Sequence, residues 1–105
     1  MNLTYPTALV LHALVQGYHY GFDIMDVTGL PSGTVYPILR RLDREALVRA
    51  KWERAELAQR EQRPPRRYYE LTATGEALAE SAVKRYRALE GVPARSSRRL
   101  RPARS

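Results

Sequence analysis

The sequence predicts a winged helix-turn-helix with one further helix at its C-terminal end, a mainly α fold that carries a small β-hairpin. Three observations predict this fold. Residues 5–46 show helical spacing of apolar residues in three consecutive segments, residues 47–72 hold two β-rich segments around a polar stretch, and residues 73–90 return to helical spacing. A chain of 105 residues has the length of one domain.

The first helix is predicted over residues 5–16, with Thr4 or Tyr5 as its N-cap. Pro6 stands near the first helical position, where the missing N–H of proline costs nothing because that group has no partner within a helix. A short second helix is predicted over residues 22–27, between two segments that contain glycine.

The third helix is predicted from Ser32, which is a good N-cap residue, to about Ala46. Its apolar side chains recur at helical spacing and share one face: Val35, Leu39, Leu42 and Ala46. Three arginines point elsewhere: Arg40, Arg41 and Arg44. Pro37 removes one backbone hydrogen bond inside this helix, so the helix is expected to open with an irregular turn.

A hairpin is predicted after the third helix. Residues 47–54 alternate weakly between apolar and charged side chains, and residues 66–72 are rich in β-forming residues, so each predicts a strand. Residues 55–65 are polar and end in two prolines, which predicts a loop. Because neighbouring side chains of a strand alternate, Tyr69 is expected to pack inward and Tyr68 to face outward.

Trp52 is the only tryptophan, and its place near the foot of the hairpin predicts packing against the third helix. Stacking on a ligand is the alternative role for this side chain.

The last helix is predicted to begin after Thr72 or Thr74 and to end near Glu90. It carries an apolar stripe at a spacing typical of coiled coils, formed by Leu78, Ala82, Val83, Tyr86 and Leu89. A single small domain has too little core to cover this stripe, which predicts a homodimer interface. The chain thus divides into a winged helix over residues 1–72, a dimerisation helix over 73–91 and a disordered tail over 92–105.

The distribution of basic residues predicts a polyanionic partner. The formal net charge is +7, yet residues 1–39 contain no lysine or arginine, whereas ten lie between Arg40 and Arg67. Five more arginines lie in residues 91–105, where there is no acidic residue. Such a concentration on one part of a domain is typical of proteins that bind double-stranded DNA, although a solvated charged surface has the same composition.

The predicted DNA contacts lie on the third helix and on the hairpin. On the helix they are Ser32, Thr34 and Tyr36, which are short or flat donors near its N-terminus, and Arg40 and Arg41, which reach guanine edges or phosphates. On the hairpin they are Arg60, Arg63, Arg66, Arg67 and Tyr68. A hairpin arginine can enter the minor groove of DNA, and the alternative is a flexible charged loop.

Several classes of function find no support in the sequence. Asp23 and Asp26, three residues apart, are better explained as surface carboxylates than as an acid–base pair, so no enzyme and no cofactor are predicted. The two histidines have no companions at metal-ligand spacing, and no metal is predicted. The longest apolar run, residues 8–15, is too short to cross a membrane, and no signal peptide is expected. The absence of cysteine suits a reducing cytoplasm.

Several motifs together resemble the PadR family of transcriptional regulators. They are residues 21–24 (GFDI), residues 32–37 (SGTVYP) with Leu39, Arg41 and Leu42, the pair Trp52 and Glu53, and residues 67–72 (RYYELT) with Gly75. The sequence departs from the family at Tyr20, where a histidine is common, and in a longer hairpin tip without glycine.

Two copies of the chain would place two recognition helices on one face of DNA, about one helical turn apart, so we expect a homodimeric repressor that binds an inverted-repeat operator. The resemblance implies that repression is relieved by a small-molecule or protein effector. Two other functions remain open from the sequence: a non-specific architectural DNA-binding protein, and a basic winged helix that binds protein or RNA.

Overall fold

The computed structural model describes residues 3–93, apart from the side chains of Ala88 and Glu90. It confirms the predicted winged helix-turn-helix with a C-terminal helix, and it adds a short helix inside the hairpin. The elements in chain order are α1 (Tyr5–Val15), α2 (Gly21–Thr28), α3 (Ser32–Arg44), β1 (Val48–Trp52), α4 (Ala55–Arg60), β2 (Arg67–Leu71), α5 (Ala73–Arg85) and a 3₁₀ turn (Arg87–Gly91). We call β1, α4 and β2 together the wing.

The two strands form an antiparallel ladder whose register runs from Val48 opposite Leu71 to Trp52 opposite Arg67. Tyr69 is buried, as predicted, and Tyr68 is half-buried. Val48 and Tyr69 point to the same side of the ladder, toward α3, and both belong to the hydrophobic core. The other side of the ladder carries an exposed ion pair between Lys51 and Glu70, 2.7 Å apart.

Helix α1 occupies the centre of the domain. Its residues 7–14 are all buried, and it packs against α2, α3, β2 and α5. A helix that is apolar on every side must be covered on every side, and the surrounding elements do this. The core joins α1 to apolar residues of α3, of β1 and of α5, including Leu39, Val48 and Ala82.

Two predicted helix caps are confirmed and one is wrong. The hydroxyl of Thr4 accepts a hydrogen bond from the Thr7 N–H, and the Thr72 hydroxyl accepts one from the Gly75 N–H at 3.1 Å. Ser32, predicted as the N-cap of α3, is instead its first helical residue. Pro31 holds the N-cap position in an extended conformation (φ −75°, ψ 163°), which the proline ring favours.

The opening turn of α3 is tightened, and the helix then continues through Pro37. The Thr34 and Val35 N–H groups both bond to the carbonyl of Pro31, at 2.9 and 3.0 Å. The prediction that α3 reaches Ala46 is wrong by two residues. Ala46 adopts a left-handed conformation (φ 60°) and closes the helix through a Leu47 N–H bond to the Leu42 carbonyl at 2.8 Å.

The predicted loop at residues 55–65 contains α4, so that prediction is wrong for its first half. The segment Ala55–Arg60 consists of alanine, glutamate, leucine, glutamine and arginine, all strong helix formers. Ala58 is buried, which gives this single turn and a half a packed side. Because only Ala58 is buried, the segment shows no apolar repeat that would indicate a helix.

Of the five residues in the predicted apolar stripe of the last helix, two are buried within the chain and three are half-buried. Helix α5 ends at Arg85 rather than near Glu90, and Ala82 and Leu89 are fully buried. The chain turns back at Tyr86, whose hydroxyl donates to the Leu3 carbonyl at 3.0 Å. Leu78 and Val83 stay half-buried, and of these two only Leu78 packs against the core.

The folded chain extends past the predicted start of the tail. Val92 packs against the core, and the Pro93 carbonyl accepts a hydrogen bond from the Tyr18 hydroxyl at 3.0 Å. Residues 94–105, which hold the rest of the predicted tail, lie outside the described residues.

Candidate nucleic-acid interface

Helix α3 presents a basic face opposite its buried face. Val35, Ile38, Leu39 and Leu42 are buried, whereas Ser32, Gly33, Arg40 and Arg44 are exposed. Thr34, Tyr36 and Arg41 are half-buried at the edges of this face. Arg44 follows Arg40 by four residues and so lies one helical turn above it. That spacing is visible in the sequence and would have placed Arg44 among the predicted contacts.

Tyr36 fixes α3 against α2. A Cβ atom at Gly21 would collide with the Tyr36 ring, so the first residue of α2 and this ring are in direct contact. The outer end of the Tyr36 ring therefore packs directly on the first residue of α2. This packing role accompanies its predicted place at the interface, on the edge of α3 nearest the wing.

A groove of about 530 Å³ separates α3 from the wing. It is lined by Arg40, Asp43, Arg44, Ala50, Arg67 and Tyr69. Three arginines against one aspartate make it positive, and within residues 3–93 neither Arg40 nor Arg44 forms an ion pair. Burial raises the pKa of Tyr69 at the floor of the groove, and the nearby Arg67 opposes that rise.

A smaller recess of about 200 Å³ continues this surface toward α2. It is lined by Gly21, Phe22, Tyr36, Arg66, Arg67 and Tyr69. Arg67 and Tyr69 line both the groove and the recess. One continuous surface therefore runs from the start of α2, past β2, to the C-terminal half of α3. We call its four arginines, Arg40, Arg44, Arg66 and Arg67, the arginine surface.

The wing is anchored by Glu53, a motif residue to which the sequence assigned no role. Glu53 is buried, and its Oε1 lies 2.6 Å from Arg63 Nη1 while its Oε2 lies 3.2 Å from Arg63 Nη2. The Tyr20 hydroxyl donates to Oε2 at 2.7 Å, and the Arg66 N–H donates to Oε1 at 2.9 Å. We call Tyr20, Glu53 and Arg63 the Glu53 cluster. It ties both ends of the wing loop to the N-cap of α2.

The Glu53 cluster changes the pKa of two of its members. The Arg63 guanidinium lowers the pKa of Glu53 to about 2, against the opposing effect of burial and with help from Tyr20 and the Arg66 N–H. Burial raises the pKa of Tyr20 to about 12, and the hydrogen bond to Glu53 adds to this rise. Glu53 is therefore ionised and Tyr20 protonated at neutral pH.

The predicted wing residues separate into two groups. Arg60 on α4, Arg66 just before β2 and Arg67 at the first position of β2 are exposed. Arg63 is directed into the wing toward Glu53. Tyr68 is half-buried and its ring lies tilted against Tyr20, with 6.1 Å between the centroids.

The prediction that Trp52 packs against α3 is wrong. Its side chain is 61% exposed, and the Arg67 guanidinium carbon lies 5.1 Å from the ring centroid. Trp52 is on the same side of β1 as Val48 and Ala50, but at the far end of the strand, beyond the part that α3 covers. The alternation along β1 indicates the side on which Trp52 lies, but it does not indicate where the cover by α3 ends.

Phe22 forms a second exposed aromatic site that the sequence did not indicate. It is 45% exposed, with the Arg66 guanidinium carbon 4.9 Å from its ring centroid. Tyr20 stacks on Phe22 at 5.4 Å between centroids, with 24° between the ring planes.

The described part of the chain holds neither a metal-binding cluster nor a membrane-spanning helix. Within residues 3–93, no three histidine, aspartate or glutamate side chains lie close enough together to hold a metal ion. In that range no helix has both the length and the apolar character needed to cross a bilayer.

Comparison with known proteins gives a family and a fold. Residues 10–81 match the family described as "Transcriptional regulator PadR-like family". No curated protein matches the chain.

Three solved structures are similar to this one. A PadR-like transcription factor from Bacteroides fragilis is 27% identical, with a TM-score of 0.54 over 76% of this chain and 82% of that chain. A Streptococcus transcriptional regulator is 21% identical (TM-score 0.62, covering 80% and 83%), and a Streptococcus mutans protein is 22% identical (TM-score 0.62, covering 86% and 85%). At these last two identities the likeness concerns the fold.

Proposed function

The chain belongs to the PadR-like family of transcriptional regulators, a family of DNA-binding regulators, and from that premise we propose that it is a homodimeric repressor. It binds an inverted-repeat operator in double-stranded DNA in the cytoplasm, with no enzymatic activity of its own. The observation that carries this proposal is the arginine surface between α3 and the wing, where Arg40 and Arg44, which form no ion pair within residues 3–93, project from a helix of the right size for a major groove.

Each element has one part in the proposed contact. Helix α3 enters the major groove, where Arg40, Arg41 and Arg44 reach base edges or phosphates. Ser32 and Thr34 donate to phosphates near its N-terminus, where exposed N–H groups favour anions. The wing contributes Arg60, Arg66, Arg67 and Tyr68.

Arg63 is left out of the proposed contact set. Its guanidinium is engaged by Glu53 through two hydrogen bonds, and freeing it would leave a buried carboxylate without its partner. Arg63 thus serves DNA binding through the shape of the wing.

The proposed dimer uses the outward side of α5. Val83 is the half-buried stripe residue that does not pack against the core, whereas Leu78 lies at the opposite edge of the buried side of α5 and does pack against the core. Two copies related by a two-fold axis would present two α3 helices to one side of DNA, about one helical turn apart. A small-molecule or protein effector would release the operator by changing the relative position of the two copies.

The test is DNA binding at fixed, physiological salt. A footprint on the DNA upstream of the gene identifies an operator, and fluorescence anisotropy then compares that operator with a scrambled duplex. Arg40→Ala should lose about 1–3 kcal/mol of discrimination if the side chain reads a guanine. Arg49→Ala is the matched control, because Arg49 is an exposed arginine on the side of β1 that faces away from α3.

Each outcome has a clear reading. Equal affinity for operator and scrambled DNA would make the protein an architectural DNA binder and contradict the proposal. Binding to RNA or protein in the absence of any duplex binding would contradict it as well. Equal losses in Arg40→Ala and Arg49→Ala would mean that Arg40 does not read a base.

A further inference from the structure

Two large aromatic side chains are exposed beside the arginine surface, and each has an arginine over its ring. Trp52 carries Arg67 at 5.1 Å, and Phe22 carries Arg66 at 4.9 Å. The two pairs come from different elements, one from the end of the β-ladder and one from the start of α2. Both arginines line the recess between α2 and the wing.

The first pair sits where the wing meets the groove. Trp52 lies opposite Arg67 at the open end of the ladder, two residues beyond the pair of Ala50 and Tyr69. Ala50 and Tyr69 line the groove of α3, so the pleat places Trp52 and Arg67 on that same side of the sheet. Arg67 is thus held above the ring while also lining the groove.

The second pair is fixed from below. Tyr20 stacks on Phe22 and donates its hydroxyl to Glu53, which also accepts the backbone N–H of Arg66. The ring under Arg66 and the backbone of Arg66 are therefore both tied to one buried carboxylate. This arrangement leaves the Arg66 guanidinium a defined place at the rim of the recess.

Aromatic stacking suits a group that must grip phosphate. An arginine side chain loses much rotamer freedom when it is immobilised, and that loss weakens binding. A guanidinium that lies over a ring keeps its in-plane N–H donors available, because stacking uses its planar face. Prior stacking therefore reduces what is lost on contact with DNA without occupying the donors.

We propose that Trp52 and Phe22 are positioning residues, which hold Arg67 and Arg66 in place to bind phosphates of the DNA backbone. This inference rests on the proposed function, because it concerns the same DNA surface. It assigns the two rings no contact with bases. Their effect on DNA passes through the arginines.

A double-mutant cycle tests the first pair. Fluorescence anisotropy compares the operator affinity of four variants with that of the parent: Trp52→Leu, Trp52→Phe, Arg67→Ala and the double variant Trp52→Leu/Arg67→Ala. Trp52→Leu should weaken binding about two- to fivefold, the usual effect of an exposed cation–π contact. Arg67→Ala should weaken it by about tenfold, as for a charged hydrogen bond. In the Arg67→Ala background, Trp52→Leu should have no further effect.

The salt dependence separates positioning from contact. Arg67→Ala should reduce the slope of log affinity against log salt by about 0.9, because one phosphate contact is lost. Trp52→Leu should keep the parent slope, since Arg67 still reaches the phosphate from a less ordered start. Trp52→Phe keeps a ring face and should stay within about twofold of the parent. Thermal unfolding should be the same in all four variants, because both side chains are exposed.

Phe22→Leu and Arg66→Ala form the parallel cycle, with Arg49→Ala as the control for the loss of one positive charge. Additive losses in both cycles would overturn the proposal, since the rings would then act on DNA themselves. An unchanged affinity in Trp52→Leu and Phe22→Leu would overturn it too. If the parent failed to bind DNA at all, the proposed function would fall and this inference with it, whereas parent binding with no coupling would remove the inference alone.

Discussion

Glu53 is the one buried acidic side chain of the wing. Because it is ionised in the folded state, it makes the free energy of unfolding depend on pH. Its pKa of about 2 lies below the ordinary 4.5 because Arg63 and Tyr20 hydrogen-bond to the charged form. A carboxyl whose pKa is lower in the folded state stabilises the fold fully above its ordinary pKa, and this contribution is lost as the pH falls toward the folded value.

Replacement of Glu53 by glutamine should therefore destabilise the protein at neutral pH, with a difference that shrinks between about pH 4.5 and pH 2. Urea unfolding of parent and variant at a series of pH values measures this difference. Glu80→Gln, at an exposed position of α5, is the control and should show little difference at any pH. A Glu53→Gln difference that stays constant down to pH 2 would contradict the assigned role of the ion pair.

Gly21 offers a second prediction at the scale of one residue. Gly21→Ala places a methyl group against the Tyr36 ring and should cost about 1–3 kcal/mol of unfolding free energy, as overpacking does. Gly33→Ala is the matched control, because open space surrounds Gly33 and alanine favours a helix by up to about 1 kcal/mol. The free energies of unfolding of the two variants, measured with denaturant, should thus change in opposite directions from that of the parent. A stable Gly21→Ala would show that α2 and α3 are not in tight contact.

At the scale of elements, segments with a strong local sequence pattern could be predicted, whereas segments that depend on contacts distant in the sequence could not. Helices α1 and α3 and both strands follow from spacing and composition, because each has a long apolar repeat or a β-rich run. Helix α4 was missed because it buries little more than Ala58. The turn after α5 was missed because it depends on Tyr86 reaching Leu3, a contact between opposite ends of the chain.

The residues of the predicted interface differ in the same way in how far the sequence reveals them. Arg40, Arg66 and Arg67 could be assigned to it because charge density is readable from the sequence. Arg63 could not be separated from them, since its partner Glu53 is ten residues away across a helix. The aromatic pairs depend on register at the end of the ladder, which no local pattern reports.

Helix α5 carries the prediction at this scale. Val83→Asp should give monomers in sedimentation experiments while retaining helical content, because Val83 is outside the core of the single chain. Ala82→Asp is its neighbour and contrast. Since Ala82 is fully buried, a charge there should unfold the domain. A Val83→Asp variant that remained dimeric would exclude this side of α5 as the dimer contact.

At the scale of the whole molecule, positive charge is divided between the arginine surface and a C-terminal segment. Residues 94–105 hold five arginines and no acidic residue, and they follow Pro93, which is fixed to Tyr18. Their deletion should lower affinity for operator and for random DNA by similar factors, because phosphate contacts carry no sequence information. The salt slope should also fall by about 0.9 for every phosphate contact removed, while dimerisation and the specificity ratio stay as in the parent.

A full-length variant with the five arginines changed to glutamine keeps the length of the segment and isolates its charge. It should reproduce the deletion in both affinity and salt slope. An identical slope for parent and deletion would mean that the segment makes no contact with DNA. Loss of operator discrimination without loss of random binding would instead indicate that these arginines enter a minor groove and distinguish A·T from G·C pairs, in the way that flexible arms of other DNA-binding domains do.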